Sequence, residues 1–377
     1  MKFHRVWAVA RKEFIHVLRD PRSLTMAIAI PMLLLGLFGY ALTLDVDNVP
    51  LVIWDQSGSH ASRELISRFT GSRYFSLQRS VDNSRQMEQA IDTGEALAAL
   101  VIPSDFAGRI DSGRAVAVQL ILDGSDSNTA TIASGYADGV VGAYSRNIAL
   151  RELRRSGGRE VLPPLEMRPR VWFNADLESK NFIIPGLITI IMIVIAALLT
   201  SQTIAREWER GTMEQVIATP VMGRELILGK FFPYFAIGIV DVLLAFLMGR
   251  FIFDVPFRGS VVLFFALAAI FLVGALCLGM LISIVTRTQA VAYQVAMVVT
   301  FLPSFLMSGF MFAIGNMPRP MQLITYLIPA RYFVVITKGI YLKGVGLDIL
   351  AVPAGLLTIF AVAMAVVANR KFKKKLV

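Results

Sequence analysis

Cysteine is nearly absent from the 377-residue chain. Cys277 is the only one, so no disulfide can form within it. Histidine is almost as scarce: His4, His16 and His60 have no metal-ligand spacing among them, and no metal site is expected. There is no G-x-S-x-G elbow, and Ser57, within Asp55-Gln56-Ser57-Gly58, reads as a turn after a strand. A phosphate-cradling loop is missing too. Gly223 and Gly229-Lys230 have five residues between the glycines instead of four, and Phe231 stands where a magnesium-binding Ser or Thr is required. These absences exclude the common enzyme classes, and no cofactor is expected in this chain. Charge is sparse as well, at 17% of residues against 55% hydrophobic, whereas soluble domains carry about 25% charged residues. No internal repeat is visible, which removes the inverted-repeat signature of many secondary transporters.

What the chain does have is long apolar runs. They lie at 23–44 and at roughly 182–200, 226–249, 260–285, 290–313 and 347–368, each long enough to span a bilayer as a helix. No cleavable signal peptide of ordinary form precedes the first run, and no lipidation motif is seen. The net charge of +10 gathers beside these runs, at Lys2–Arg22 and Arg370–Lys375, without the interleaved aromatics of a nucleic-acid groove. Nucleic acid is therefore not an expected partner; the lipid bilayer is. Six spans put both termini on one side, and the basic flanks assign that side to the cytoplasm. The fold class expected is a mainly α polytopic membrane protein, with six transmembrane helices and an extracytoplasmic α/β domain inserted between the first and second.

The inserted domain is read from composition. Residues 45–178 have soluble character, with strands expected at 51–54, 98–102 and 116–122 and helices around 60–70, 84–93 and 126–155. Pro163-Pro164 and Pro169 mark an extended return to the membrane. Ahead of the first span, residues 1–22 hold an amphipathic helix over 3–20. Phe3, Val6, Trp7, Ala10, Phe14, Val17 and Leu18 share one face, with Arg5, Lys12, His16 and Arg19 on the other. After the fifth of the later spans, residues 371–377 form a basic tail.

Three features stand out among the remaining residues, which form a five-helix region over 179–370. The first is SQTIAREWERGTMEQVIATPVM at 201–222, a charged island with helical patterning, a Gly211 break and a Pro220 stop; it predicts a structured element over 203–217 on the membrane surface. The second is Asp241 in FAIGIVDVLLAF. A carboxylate there is costly, and it either lines a substrate pathway or serves helix packing. The third is 308–346, apolar but broken by Pro318, Pro320 and Pro329 and carrying Arg331; over 314–343 it fits re-entrant helices on the outer side. Ala275, Gly279 and Ser283 add a small-residue ridge suited to close helix packing.

These residues together resemble the type-2 permeases of ABC exporters, in the subfamily with a large extracytoplasmic insertion that serves drug and small-molecule efflux. REWERGTMEQVIATPV with the following Arg224-Glu225-Leu226 and Gly229-Lys230 is similar to that family's cytoplasmic signature. SGFMFAIGNMP, LIPARYF and GIYLKGVG are similar to its outer re-entrant region, with Pro318, Pro329, Arg331 and Tyr332 the matching positions. The resemblance implies a permease subunit with no nucleotide site of its own, in a bacterial cytoplasmic (inner) membrane with both termini cytoplasmic. It would export a lipophilic or drug-like substrate, with ATP and Mg on a partner ATPase. It also implies a homodimer or heterodimer and leaves room for a periplasmic adaptor protein. The ATPase interface carried over comprises Arg11, Lys12, Glu13, Arg206, Glu207, Arg210, Gly211, Thr212, Glu214, Thr219 and Pro220. Two alternatives stay open at this level: a proton-coupled carrier using Asp241, and a membrane-anchored receptor that senses ligands through 45–178.

Overall fold

Apolar runs too long for a strand leave the backbone only one way to satisfy its hydrogen bonds in lipid, and they are helical. The computed structural model describes residues 2–42, 48–155, 172–174 and 178–372. The proline-marked return near 163–169 and the tail beyond 372 lie outside them. Two compact units divide the chain, one made of Met1–Thr43 with Arg170–Val377 and the other of Leu44–Pro169.

The first unit begins with α1 (Phe3–Arg19), which ends at Asp20 before Pro21. There follow α2 (Pro21–Leu24), a π turn (Thr25–Ala29) and α3 (Ile30–Ala41). The expected first span therefore falls on a shorter apolar helix, 27–41, with irregular turns ahead of it. Among the described residues, five helices of this unit are long and apolar enough to cross a membrane: α8 (Lys180–Glu209), α10 (Gly223–Phe251), α11 (Val261–Thr286), α12 (Gln289–Met307) and α15 (Leu347–Lys371). Between α8 and α10 lies α9 (Thr212–Ala218). Between α12 and α15 lie α13 (Arg319–Ile324) and α14 (Pro329–Lys338). The expected span 290–313 stops at Met307, because the next turn carries Gly309 at φ +81°.

Helix α8 is the axis of the unit. Residues 183–198 are buried on every side, as a helix with no polar face must be. At a rise of 1.5 Å per residue its 30 residues reach about 45 Å, well past the ~30 Å hydrocarbon core, so its polar last turns extend beyond the apolar layer. The small-residue ridge of α11 lies against it. Thr200 Oγ1 of α8 donates to the Leu276 carbonyl at 3.0 Å, and Ser283 Oγ accepts from the Ile204 and Ala205 amides at 3.0 and 2.9 Å. A Cβ on Gly279 would come within 2.8 Å of the Ala197 Cα. By contrast, α12 and α15 turn Val298, Leu302, Val352 and Ile359 outward with more than half their surface exposed, which calls for an apolar solvent.

The proline-rich stretch bends by 87° between Arg319–Leu327 and Pro329–Lys343. Pro318 caps α13, and Pro329 opens α14 at a position where its missing N–H costs nothing. Arg331 holds the corner: its Nη1 donates to the Gln322 carbonyl at 3.3 Å and to Thr325 Oγ1, and its guanidinium lies 3.8 Å from the Tyr326 ring centroid. Tyr332 Oη donates to the Tyr326 carbonyl at 2.6 Å.

The second unit is a four-stranded sheet in the order β2-β1-β3-β4, formed by β1 (Val49–Asp55), β2 (Phe75–Ser80), β3 (Ala98–Ile102) and β4 (Gln119–Leu122). β1 runs parallel to β2 and β3, and β4 is antiparallel to β3. The helices are α4 (His60–Thr70), α5 (Ser84–Asp92), α6 (Phe106–Asp111) and α7 (Ser127–Arg155). Leu65, Phe69, Ala133, Ala137 and Tyr144 cover one face of the sheet, while Met87 and Ala90 cover the other, so β3 is apolar throughout. β2 went unexpected because its edge position leaves most of its residues polar and exposed. Ser57 sits in the anticipated turn, where Asp55 Oδ1 accepts from the Ser57 and Gly58 amides at 3.0 and 3.1 Å.

Close approach of α8 and α11 yields a stability prediction. Gly279→Val should lower the thermal midpoint of the purified protein, at a cost of about 1–3 kcal/mol of overpacking. Gly355→Ala, where a Cβ meets nothing within 4 Å, should leave the midpoint unchanged or raised. Differential scanning fluorimetry in detergent distinguishes the two.

Candidate functional site

The charged island does not form a single helix over 203–217. Residues 203–209 are the end of α8, and Gly211 at φ +70° breaks the chain before α9. Arg210 and Glu214 are therefore not successive turns of one helix. Met213 anchors α9 inward, buried with Ile204, Leu226, Met280 and Phe372. Glu209, Arg210, Gly211, Glu214, Thr219 and Pro220 face outward, and Thr212 is half-buried with its hydroxyl donating to the Glu207 carbonyl at 3.3 Å.

Helix α1 lies along the first turns of α10. Its buried stripe is Val6, Ala10, Glu13 and Val17, at helical spacing with a carboxylate at one of the inward positions. Phe3, Trp7, Phe14 and Leu18, expected on the same apolar face, are instead well exposed. Gly229 of α10 makes the contact possible, since a Cβ there would sit 2.6 Å from Val9 Cβ and 3.0 Å from the Val6 carbonyl oxygen. The glycine that mimics a phosphate loop in the sequence is thus a helix-packing glycine.

The neighbouring Lys230 is the centre of the site. Its side chain is 1% exposed, and its Nζ lies 3.0 Å from Glu207 Oε1 of α8 and 3.4 Å from Glu13 Oε1 of α1. It also donates to the Thr203 carbonyl at 3.3 Å, and Tyr234 Oη donates to Glu13 Oε1 at 3.2 Å. Lys12, on the exposed rim, reaches Glu207 Oε1 at 3.3 Å and brings the cluster to two cations and two carboxylates. Glu207 Oε2 is buried and, among the described residues, has no hydrogen-bond partner. One buried ammonium thus joins three helices, and removing it leaves Glu13 with only the Tyr234 hydroxyl and Glu207 with only the rim cation Lys12.

A second clamp ties the helix starts together. Fully buried Glu225 accepts from the Met222 amide at 2.9 Å and from the Lys2 amide at 2.7 Å, and Arg5 approaches it at 3.8 Å. Arg5 Nη1 also donates to the Pro220 carbonyl at 2.5 Å. On the far side of α8, Arg206 contacts His16 Nε2 at 3.3 Å and Gln289 Oε1 at 3.2 Å, and Glu209 Oε2 accepts from the Gln289 amide at 2.8 Å. The start of α1, the α9–α10 link and the start of α12 are therefore all fastened to the end of α8 or the start of α10.

The positions singled out from sequence divide accordingly. Arg11, Lys12, Arg210, Gly211, Glu214, Thr219 and Pro220 are on the surface, whereas Glu13 and Glu207 point into the junction and Arg206 braces it. Glu225 and Lys230 were read as part of the cytoplasmic signature but not as site residues, and Tyr234 was missed. A lysine at the edge of an apolar run was the available signal. Asp241 is elsewhere, 7% exposed in the middle of α10, its Oδ1 without a hydrogen-bond partner among the described residues, against a cavity of about 20 Å³ that Pro31, Met192, Tyr234 and Gly238 help to line. That is room for a water-sized occupant. Among the described residues no group of His, Cys, Asp and Glu is placed to hold a metal ion.

Breaking a buried ion pair costs about 3–5 kcal/mol, while an exposed one is worth about 0–1. Lys230→Met should therefore lower the thermal midpoint sharply, Lys12→Ala barely, and adding Glu13→Gln with Glu207→Gln to Lys230→Met should recover much of the loss.

Comparison with known proteins agrees with this architecture. Residues 21–369 match the family model described as ABC-2 family transporter protein. The chain is 40% identical over 345 residues to the probable multidrug ABC transporter permease YbhS of Escherichia coli K12, covering 91% of this chain and 90% of that one. It is 32% identical over 347 residues to the probable multidrug ABC transporter permease YbhR of the same organism, covering 92% of each. The inner membrane transport permease YhhJ of that strain is 26% identical over 330 residues, 86% of this chain and 85% of its own. This chain belongs to the ABC-2 transporter family, as a multi-pass membrane permease subunit whose ATPase is a separate chain.

Proposed function

We propose that this permease exports a lipophilic or drug-like substrate from the cytoplasm or inner leaflet, with ATP and Mg held by ATPase subunits that dock on the exposed surface of α9 and the polar edge of α1. The observation that carries the reading is the Lys230 junction. A push on α9 reaches the end of α8, and through Lys230 it reaches α1 and α10 together. Arg11, Lys12, Arg210, Gly211, Thr212, Glu214, Thr219 and Pro220 form the docking surface, while Glu13, Arg206 and Glu207 pass the movement inward. ATP binding works by favouring one arrangement of these helices over another.

In this reading the protein is a dimer, with itself or a related permease, in a bacterial cytoplasmic membrane. Both termini and α9 are cytoplasmic. Residues 45–178 lie outside, where they are available to a periplasmic adaptor, and the bent α13–α14 segment is re-entrant from that side. The printed descriptions of YbhS and YbhR as probable multidrug permeases support the substrate class. Asp241 faces the pathway once the helices around its small cavity part, and there it favours cationic compounds.

Two measurements test this. Arg210→Glu combined with Glu214→Arg should cut the amount of co-purified cognate ATPase by about tenfold or more while leaving the thermal midpoint unchanged. Retention of the ATPase by that variant overturns the docking surface. For orientation, Cys277→Ala provides a cysteine-free background. A cysteine at Thr219 should then react with an impermeant maleimide only in inverted vesicles, and one at Asp92 only in right-side-out cells; the opposite pattern refutes the topology.

A further inference from the structure

Between α10, α11 and α15 an open groove of about 540 Å³ faces away from the α8 axis, within the ~300–1,000 Å³ range of ligand clefts. Its walls are apolar along almost the whole length, among them Phe231, Cys277, Val362 and Val366. The hydroxyl of Thr358, at the deep end, is spent on the Ala354 carbonyl at 2.8 Å, so the floor offers no polar anchor. Polarity gathers at the other end, where Arg224 and Asn369 line the mouth and Arg370 and Lys371 occupy the last turn of α15. Arg224 is exposed and, among the described residues, makes no hydrogen bond or ion pair, unlike Arg5 and Lys230 close by.

Length and polarity together define the occupant. From Asn369 to Thr358 is eleven residues of helix, about 16 Å at 1.5 Å per residue. That is about half of the ~30 Å hydrocarbon thickness, the depth of one leaflet. A slot one leaflet deep, uncharged along its length and cationic at its mouth, matches an amphiphile with one anionic end. It does not match a polar or amphipathic peptide helix, whose polar side chains would find no partner along these walls. We propose that this groove binds an acyl chain of an anionic phospholipid, from the leaflet on the side of α1 and α9, with the lipid phosphate on Arg224. The headgroup then sits beside Glu225 and the α9–α10 link, next to the junction that carries movement between helices.

The test is photocrosslinking of the full-length protein in phosphatidylcholine vesicles doped with chain-diazirine phosphatidylglycerol or, separately, chain-diazirine phosphatidylcholine. Labelled peptides are mapped by mass spectrometry. Phosphatidylglycerol should label the segments around 270–277 and 358–366 about fivefold more than phosphatidylcholine, the preference expected for one basic residue at an anionic headgroup. Arg224→Glu should bring the two lipids to parity, and Arg224→Lys should keep the preference. Cys277→Trp, which fills the groove, should reduce labelling there by both lipids and leave labelling around Val298 and Leu302 of α12 unchanged, which also reports that the variant is folded. Equal labelling by the two lipids in the unsubstituted protein overturns the proposal. So does a preference that survives Arg224→Glu, or an absence of lipid labelling in these segments.

Discussion

A buried ammonium between two buried carboxylates is the constraint on which the packing of α1, the end of α8 and the start of α10 depends. Taking Lys230, Glu13 and Glu207 out of water costs several kcal/mol for each ion, and their mutual attraction offsets this only while the geometry holds. Such a cluster contributes little net stability compared with an apolar core of the same volume. Its consequence is positional: departure of α10 takes the buried cation from both carboxylates, and departure of α1 or α8 takes one carboxylate partner from the buried ammonium. The Glu225 clamp has the same logic at the start of α10, where backbone amides of two chain segments converge on one carboxylate.

Everything else in the membrane unit supports that arrangement. Helix α8 can be buried all round because Gly279 and Ser283 let α11 come within backbone distance of it. Gly229 does the same for α1 on α10. At the opposite end of the unit, Arg331 and Tyr332 satisfy carbonyls that the 87° bend would leave bare. Small residues set the spacing of the helices, and a few buried or capped polar groups set their register. The apolar majority then supplies the driving force on surfaces that lipid will cover.

Much of this was legible beforehand, and for identifiable reasons. Five of the six apolar runs became long helices because a run of that length has no other way to satisfy its backbone. The strand at 98–102 was legible because a run of apolar residues bounded by turn signals suits a strand buried on both faces. The edge strand β2 was not, since its pairing partners lie far away in sequence and its own residues are mostly polar. The helix expected over 203–217 was misjudged because Gly211 permits two outcomes, a weakened helix or a left-handed break, and packing of Met213 selects the break.

By itself, the sequence determined the solvent and where the long helices of the membrane unit lie, because these follow from composition and run length. The resemblance of its charged island and proline-broken segment to ABC permeases was equally readable, since short motifs in a given order survive without reference to space. Tertiary structure alone decided which charges lie on the surface and which are internal fastening. Glu207 and Arg210 sit three residues apart in one motif, yet one points at Lys230 and the other at solvent. Lys230 and Glu13 are 217 residues apart, and no local pattern in either neighbourhood announces the other. Pairings of that kind depend on how helices meet: the ridge at Gly279 was readable as a packing face but its partner α8 was not, and the close contact of Gly229 with α1 leaves no one-dimensional periodicity at all.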